Sequence, residues 1–159
     1  MGSLTNKDES VPPKTRELIS RLEPAGLVAR HPALLLCAWW LLGWYRAATL
    51  VLPLKRVVGE PQRSQPQPAP LTPAQLEQAR RVGRLVAVAA RATPWRSRCL
   101  VQALATRRLL AARGIPGQIH LGVCCEGGFA AHAWLQCGGE VVNGGAGHER
   151  FTVISALRW

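Results

Sequence analysis

The strongest constraint on the fold is a change of hydrophobic period near Gly114. Before it, apolar residues recur at helical spacing over residues 73–91 and 98–113. Gly114 supplies a left-handed helix stop, and Pro116 prevents the helix from continuing. Four short strand-like segments follow, separated by glycine-rich turns: 118–125, 129–137, 140–143 and 150–154. Helices first and strands afterwards predict an α+β fold, with an antiparallel meander as the simplest sheet.

Composition divides the rest of the chain into segments. Residues 1–26 are polar and mixed in charge, and we expect them to be flexible. Residues 27–58 contain the most apolar stretch and are predicted to form an apolar helical extension. Residues 59–73 hold five prolines without hydrophobic periodicity, which indicates a Pro-rich loop. The predicted core is residues 74–159.

The apolar segment between residues 33 and 54 allows three interpretations. Its uninterrupted apolar run is shorter than the roughly 20 residues that span a bilayer, which favours a buried helical hairpin packed on the domain. A true membrane span would have to include Arg46. The third interpretation is peripheral contact with a membrane or a partner, which is favoured by Trp39, Trp40, Trp44, Tyr45, Lys55 and Arg56.

The chain is basic, with 20 Lys and Arg against 9 Asp and Glu and a net charge of +11. Between residues 80 and 113 the basic residues are accompanied by a single aromatic residue, Trp95, so the interleaved aromatics of common RNA modules are missing and no nucleic-acid partner is predicted. An acidic partner fits this charge, although a solvated helix face explains it equally well. The basic residues concerned are Arg80, Arg81, Arg84, Arg107 and Arg108.

The cysteines and the first residues bear on the compartment. The five cysteines are an odd number without framework spacing, and residues 1–17 are polar. We therefore expect a cytoplasmic protein with reduced thiols, with membrane association left open by the apolar segment.

Cys99 lies in the first turn of the second predicted helix. A thiol there meets backbone N–H groups without helical acceptors at the positive end of the helix dipole, and Arg96 and Arg98 add positive charge. This environment favours the thiolate, so Cys99 is the candidate nucleophile. The alternative is a small buried cysteine that only packs.

His132 is the candidate general base. Strand alternation places it on the same face as Trp134, and its small neighbours Ala131 and Ala133 leave room for a helix N-terminus. A thiolate and an imidazole within hydrogen-bonding reach form a nucleophile with a general acid and base.

The residues leave several candidates for the group that would orient the imidazole. Asn143 closes the next strand across the Gly138–Gly139 turn and is the first candidate; Glu140, His148 or no side chain remain open. Trp95 and Trp134 are the predicted substrate-binding residues.

Other chemistries compete with this interpretation. A zinc site could use Cys124, Cys125, Cys137, His120, His132 and His148, but adjacent Cys124 and Cys125 point to opposite faces of a strand, and no metal is predicted. Cys99 could also pass an acyl group to an amine rather than to water. A non-catalytic, membrane-associated scaffold of a maturation complex is the non-enzymatic alternative.

Several motifs follow one another in a fixed order along the chain. They are Cys99–Leu104, Arg113–Pro116, Phe129–Leu135, Val141–Asn143 and Arg150–Ile154. Over about residues 27–159 the chain resembles the transglutaminase-like cysteine protease of lasso peptide biosynthesis, the B protein that removes the leader from a ribosomally made precursor.

This resemblance implies a transglutaminase-like or papain-like cysteine protease core, in which the helix that carries the cysteine packs on a small antiparallel sheet. It assigns the nucleophile to Cys99 and the base to His132, without a cofactor. The family usually has an aspartate as third residue, and the equivalent here is Asn143, which orients an imidazole without charge.

The resemblance also implies partners. The chain looks like the stand-alone form of the peptidase, which requires a separate leader-recognition protein. Its substrate would be the leader region of a precursor peptide with threonine as the penultimate leader residue. An asparagine-synthetase-like cyclase would then use the freed core amine to close a macrolactam ring.

Overall fold

The computed structural model describes residues 26–58, 70–95, 98–125 and 128–159. The predicted flexible segment 1–26, apart from its last residue, and most of the Pro-rich loop 59–73 lie outside the described residues. The helices are α1 (Pro32–Val51), α2 (Leu54–Val58), α3 (Pro73–Arg91) and α4 (Cys99–Ala111), and residues 26–30 are also helical. The strands are β1 (Gln118–Cys124), β2 (Ala130–Cys137), β3 (Glu140–Asn143) and β4 (Thr152–Arg158), with a 3₁₀ helix at His148–Arg150. The α+β class is confirmed.

Local sequence signals set the ends of the two core helices. Thr72 and Gln75 form a capping box at the start of α3, in which the Thr72 hydroxyl accepts from the Gln75 backbone N–H at 3.2 Å. Gly114, with φ of 65°, ends α4, and the Ile115 N–H returns to the Leu110 carbonyl at 3.1 Å. Helix α3 has the predicted bounds of 73–91. Helix α4 spans Cys99–Ala111 and is slightly shorter than the predicted 98–113.

The sheet is antiparallel with the order β3-β2-β1-β4. The predicted meander is therefore wrong for the last strand, because β4 pairs with β1 and not with β3. Gly144 and Gly147 adopt left-handed φ angles of 73° and 70° and turn the chain away from the β3 edge. The 3₁₀ helix that follows also moves the last strand from the predicted 150–154 to Thr152–Arg158.

One face of the sheet packs against α3 and α4 and forms the core. Register places Ile119 beside Leu135 and Leu157 on this face, and all three are buried. Alternation along β2 puts His132 and Trp134 on the other face.

Helix α1 packs on α3 and α4 by one stripe, in which Ala38 and Leu42 are fully buried. By length and composition α1 could cross a membrane, a test that core helices of soluble proteins also pass. Instead of the hairpin expected for residues 33–54, the chain forms one long helix, because Pro32 starts it and Pro53 lies beyond its end.

Candidate active site

Cys99 is the first residue of α4, and its side chain is half-buried. Arg98 is the N-cap and makes no side-chain capping bond, and the first helical bond runs from the Gln102 N–H to the Arg98 carbonyl. The N–H groups of the first turn therefore have no helical acceptor. They can donate to a thiolate or to an oxyanion formed beside it.

The ring of His132 is oriented by a main-chain group. Its Nε2 lies 2.7 Å from the carbonyl oxygen of Gly144. Since a carbonyl only accepts, Nε2 carries the proton, and in the neutral ring Nδ1 is the acceptor. Within the described ranges no residue hydrogen-bonds to Nδ1. The tautomer assigned in this way is the one that can take a proton from a thiol through Nδ1.

Aromatic rings support the imidazole. The His132 ring centroid lies 6.0 Å from that of Trp134 and 5.1 Å from that of Phe151. Trp134 is 3% exposed and also stacks on His120 at 5.4 Å. Trp134, which the sequence predicts to bind substrate, is thus enclosed by neighbouring rings and packs against the His132 ring.

Asn143 occupies a different place from the one that simple pairing predicts. It lies opposite Leu135 rather than beside His132, and its side chain is buried. The Asn143 amide donates to the Gly83 carbonyl at 3.4 Å, and its Oδ1 has no hydrogen-bond partner in the described part of the chain. Asn143 therefore fixes the strand end that precedes Gly144.

The other candidates for the third group have their own partners. Glu140 is exposed and forms a salt bridge with Arg80 at 2.7 Å. His148 Nδ1 lies 2.7 Å from the Gly145 carbonyl and 3.2 Å from a Glu149 carboxylate oxygen. The group on Nε2 is the Gly144 carbonyl, which has no side-chain signature in the sequence.

Helix α4, which begins at Cys99, packs on the core face of β2, whereas His132 lies on the other face of this strand. No hydrogen bond joins the Cys99 sulfur to the His132 ring in the part of the chain that the structure describes.

Trp95, the other predicted substrate-binding residue, lies four positions before Cys99 and packs against α1. Its ring centroid is 5.4 Å from that of Trp39, and a Cβ at Gly43 would lie 3.3 Å from its ring. The Trp95 indole N–H is shielded from solvent and has no partner among the described residues. Together with Trp40 and Trp44, these residues line an apolar cavity of about 270 Å³.

The remaining cysteines and histidines are not arranged as a metal centre. Among the described residues no three His, Cys, Asp or Glu side chains are grouped so that they could hold a metal ion. Cys137 is buried, and burial raises the pKa of its thiol to about 12. Burial also lowers the pKa of His120. The nearby Gln136 side chain acts in the opposite direction, although neither ring nitrogen of His120 has a hydrogen-bond partner among the described residues.

The predicted basic docking surface is divided by internal contacts. Arg80 and Arg84 pair with Glu77, and Arg80 also pairs with Glu140. Arg107 donates to the Val58 carbonyl at 2.9 Å. A partner that used this surface would therefore compete with existing bonds.

Comparison with known proteins places the chain in a family. No curated protein and no solved structure matches it. A model described as the transglutaminase-like superfamily matches residues 41–156, which is more than half of the chain. Proteins of this superfamily are commonly cysteine-dependent enzymes, and cysteine peptidases are among them. The chain belongs to the transglutaminase-like superfamily.

Proposed function

We propose that the protein is a cysteine peptidase that removes the leader from a ribosomally made lasso peptide precursor. The observation that carries the proposal is the 2.7 Å contact between His132 Nε2 and the Gly144 carbonyl, which leaves Nδ1 as the acceptor. The order of motifs around Cys99 and His132 supports the substrate class.

The reaction proceeds in two halves. His132 Nδ1 takes the Cys99 proton, and the thiolate attacks the carbonyl carbon of the leader–core bond. The C–N bond breaks as the imidazolium protonates the core amine, and an acyl-enzyme remains. Water, deprotonated by His132, then attacks the thioester and releases the leader as a carboxylic acid with the return of the Cys99 thiol.

The N-terminus of α4 stabilises the charged species. The uncapped N–H groups of its first turn face a thiolate at Cys99 and the oxyanion of each tetrahedral intermediate. In this proposal no cofactor takes part.

Asn143 acts in this mechanism through the main chain. Its amide binds the Gly83 carbonyl and so holds Gly144, whose carbonyl stabilises the imidazolium by its dipole alone. An aspartate would add a negative charge. We therefore expect the catalytic pair to depend on geometry more than on a charged third residue.

The proposed partners follow from the substrate. A separate recognition protein would hold the leader, and the freed core amine would pass to an asparagine-synthetase-like cyclase. We expect these steps to take place in the cytoplasm.

Mass spectrometry of a precursor peptide tests the proposal. The precursor encoded beside this chain is incubated with its recognition protein and with wild type, Cys99→Ala or Cys37→Ala. Cys37→Ala is the matched control, since Cys37 is an exposed thiol on α1. We expect cleavage at one leader–core bond by wild type and Cys37→Ala, and none by Cys99→Ala.

Each other outcome assigns a different role. Equal cleavage by Cys99→Ala would remove Cys99 from the mechanism. A leader joined to an added amine, with little free leader acid, would indicate acyl transfer. No cleavage by wild type, even with the cyclase present, would overturn the peptidase proposal in favour of a scaffold.

A further inference from the structure

The outer face of α1 is a continuous exposed apolar surface. Leu36, Trp40, Trp44, Ala47 and Val51 recur every three or four residues, so they form one stripe along the helix. Trp40 is 67% exposed, Trp44 64% and Val51 81%. Single exposed apolar residues are ordinary, whereas a continuous stripe marks a binding surface.

The opposite stripe of α1 is already occupied. Ala38 and Leu42 are fully buried against the domain, and α1 contacts both α3 and α4. Spanning a bilayer would therefore require α1 to leave the core. A helix held in this way can present its outer face to a surface that lies parallel to its axis.

Charge around α1 selects the kind of surface. Residues 26–58 contain no Asp or Glu. Arg30 and His31 precede the helix, Lys55 and Arg56 follow it, and the whole chain carries +11. Basic residues at both ends of an apolar stripe that bears tryptophans match an anionic lipid surface, where indole rings favour the headgroup region.

We propose that the protein binds anionic membranes through the outer face of α1, which lies in the plane of the interface. The stripe enters the boundary between headgroups and acyl chains, while Arg30 and Arg56, which are exposed at the two ends of the helix, contact anionic headgroups. At about 1.5 Å per residue, the 20 residues of α1 give a contact roughly 30 Å long. This binding does not depend on the peptidase reaction.

Vesicle flotation tests the proposal with the full chain. Wild type is mixed with vesicles of phosphatidylcholine alone or with added phosphatidylglycerol. We expect it to float with the anionic vesicles and to bind phosphatidylcholine vesicles at least about tenfold more weakly. Raising the salt concentration should release part of the bound protein, because screening weakens the headgroup contacts.

Two variants distinguish membrane binding through the α1 face from non-specific binding through other exposed apolar residues. The double variant Trp40→Glu, Trp44→Glu should bind anionic vesicles at least about tenfold more weakly. The matched control is the double variant Val153→Glu, Ile154→Glu, which adds the same two negative charges at apolar positions of β4 that are 49% and 64% exposed and should bind like wild type. Circular dichroism melting confirms that each variant is folded. Quenching of wild-type tryptophan emission by brominated lipid gives a readout that needs no variant.

Three results would overturn the proposal. The first is wild type that remains unbound with both kinds of vesicle and is not quenched by brominated lipid. The second is a folded double variant that floats as well as wild type. The third is a lipid-free dimer that the double variant abolishes while vesicles bind neither protein, which would assign the face to a second copy of the chain.

Discussion

Substitution of Gly83 by alanine should disable His132 although Gly83 is distant from it in sequence. Gly83 lies in the middle of α3, and a Cβ there would lie 1.9 Å from the carbonyl oxygen of Val142 in β3. Because Cβ atoms essentially never approach a neighbour within 3.0 Å, α3 and β3 would have to separate by about 1.1 Å. The neighbour is backbone, so rotation of a side chain cannot relieve the clash.

The displacement reaches the His132 ring through the end of β3. If Gly144 shifts with the end of β3, the 2.7 Å contact to His132 Nε2 loses its hydrogen-bonding geometry. The amide contact from Asn143 to the Gly83 carbonyl, already 3.4 Å, would also be lost. By analogy with residues that orient metal-bound histidines, we expect a loss of about 10- to 100-fold in cleavage rate. Overpacking should also lower the free energy of unfolding by about 1–3 kcal/mol.

Three measurements separate the effect on the ring from loss of fold. Urea unfolding gives the stability, precursor cleavage gives the rate for the folded fraction, and ¹⁵N NMR of the His132 ring reports which nitrogen carries the proton. Gly26→Ala is the matched control, since a Cβ there meets nothing within 4 Å, and its stability should change by no more than about 1 kcal/mol. A folded Gly83→Ala protein with the wild-type rate and the wild-type tautomer would refute the reasoning.

Three further predictions concern the core and its titrating groups. Burial raises the pKa of the Cys137 thiol to about 12, so this thiol should be unreactive in the native protein. Iodoacetamide at pH 8 should therefore alkylate the exposed Cys37 in the native protein and Cys137 only after unfolding. Equal labelling rates of the two cysteines by mass spectrometry would contradict this. Burial lowers the pKa of His120 below its ordinary value of 6.5, so His120 binds a proton more readily in the unfolded chain than in the folded one. The free energy of unfolding should therefore fall as the pH drops below 6.5, until the pH passes the pKa of His120 in the folded protein. His120→Phe, which keeps a ring on Trp134, should reduce this fall in melting temperature between pH 8 and 5, and an unchanged slope would count against it. Leu42→Ala should cost about 2–5 kcal/mol in urea unfolding, whereas a cost well under this range would show that α1 is not packed as described.

The fold could be predicted where local signals determine it. The Thr72–Pro73 start of α3 and the Gly114 stop of α4 act within one helical turn, so the sequence predicts both helices to within about two residues of their bounds. The strands β1, β2 and β3 were placed equally well by alternation and glycine turns.

The position of β4 depends on interactions that local patterns do not contain. Whether the last strand joins β3 or β1 is decided by the path of residues 144–151 over the sheet. A close approach helps to define that path, because a Cβ at Gly122 would lie 2.9 Å from atoms of both Phe151 and Trp134. A pattern of short strands alone makes the meander equally reasonable, and in this chain that expectation is wrong.

The candidate active site shows a similar limit of sequence reasoning. Cys99 and His132 have side chains whose chemistry can be read from their types and positions. A backbone carbonyl is present in every residue, so the sequence does not distinguish that of Gly144. Only the three-dimensional path of the backbone reveals that the Gly144 carbonyl contacts His132 Nε2. The pairing of β2 with β3 is also shifted by a bulge between Leu135 and Gln136. Counting from the Gly138–Gly139 turn would place Asn143 opposite Trp134, whereas the bulge places it opposite Leu135.

This placement makes Asn143→Asp a decisive substitution. If the side chain at position 143 reached His132, the negative charge of an aspartate would stabilise the imidazolium, and the Asp variant should be at least as active as wild type. In the structure the Asn143 amide donates to the Gly83 carbonyl, and a carboxylate there would place two acceptors against each other in a buried position. We therefore expect Asn143→Asp to lose about 1–3 kcal/mol of stability in urea unfolding and to cleave the precursor more slowly. An Asp variant that is as stable as wild type and cleaves faster would show that the side chain at position 143, and not the Gly144 carbonyl, orients the ring.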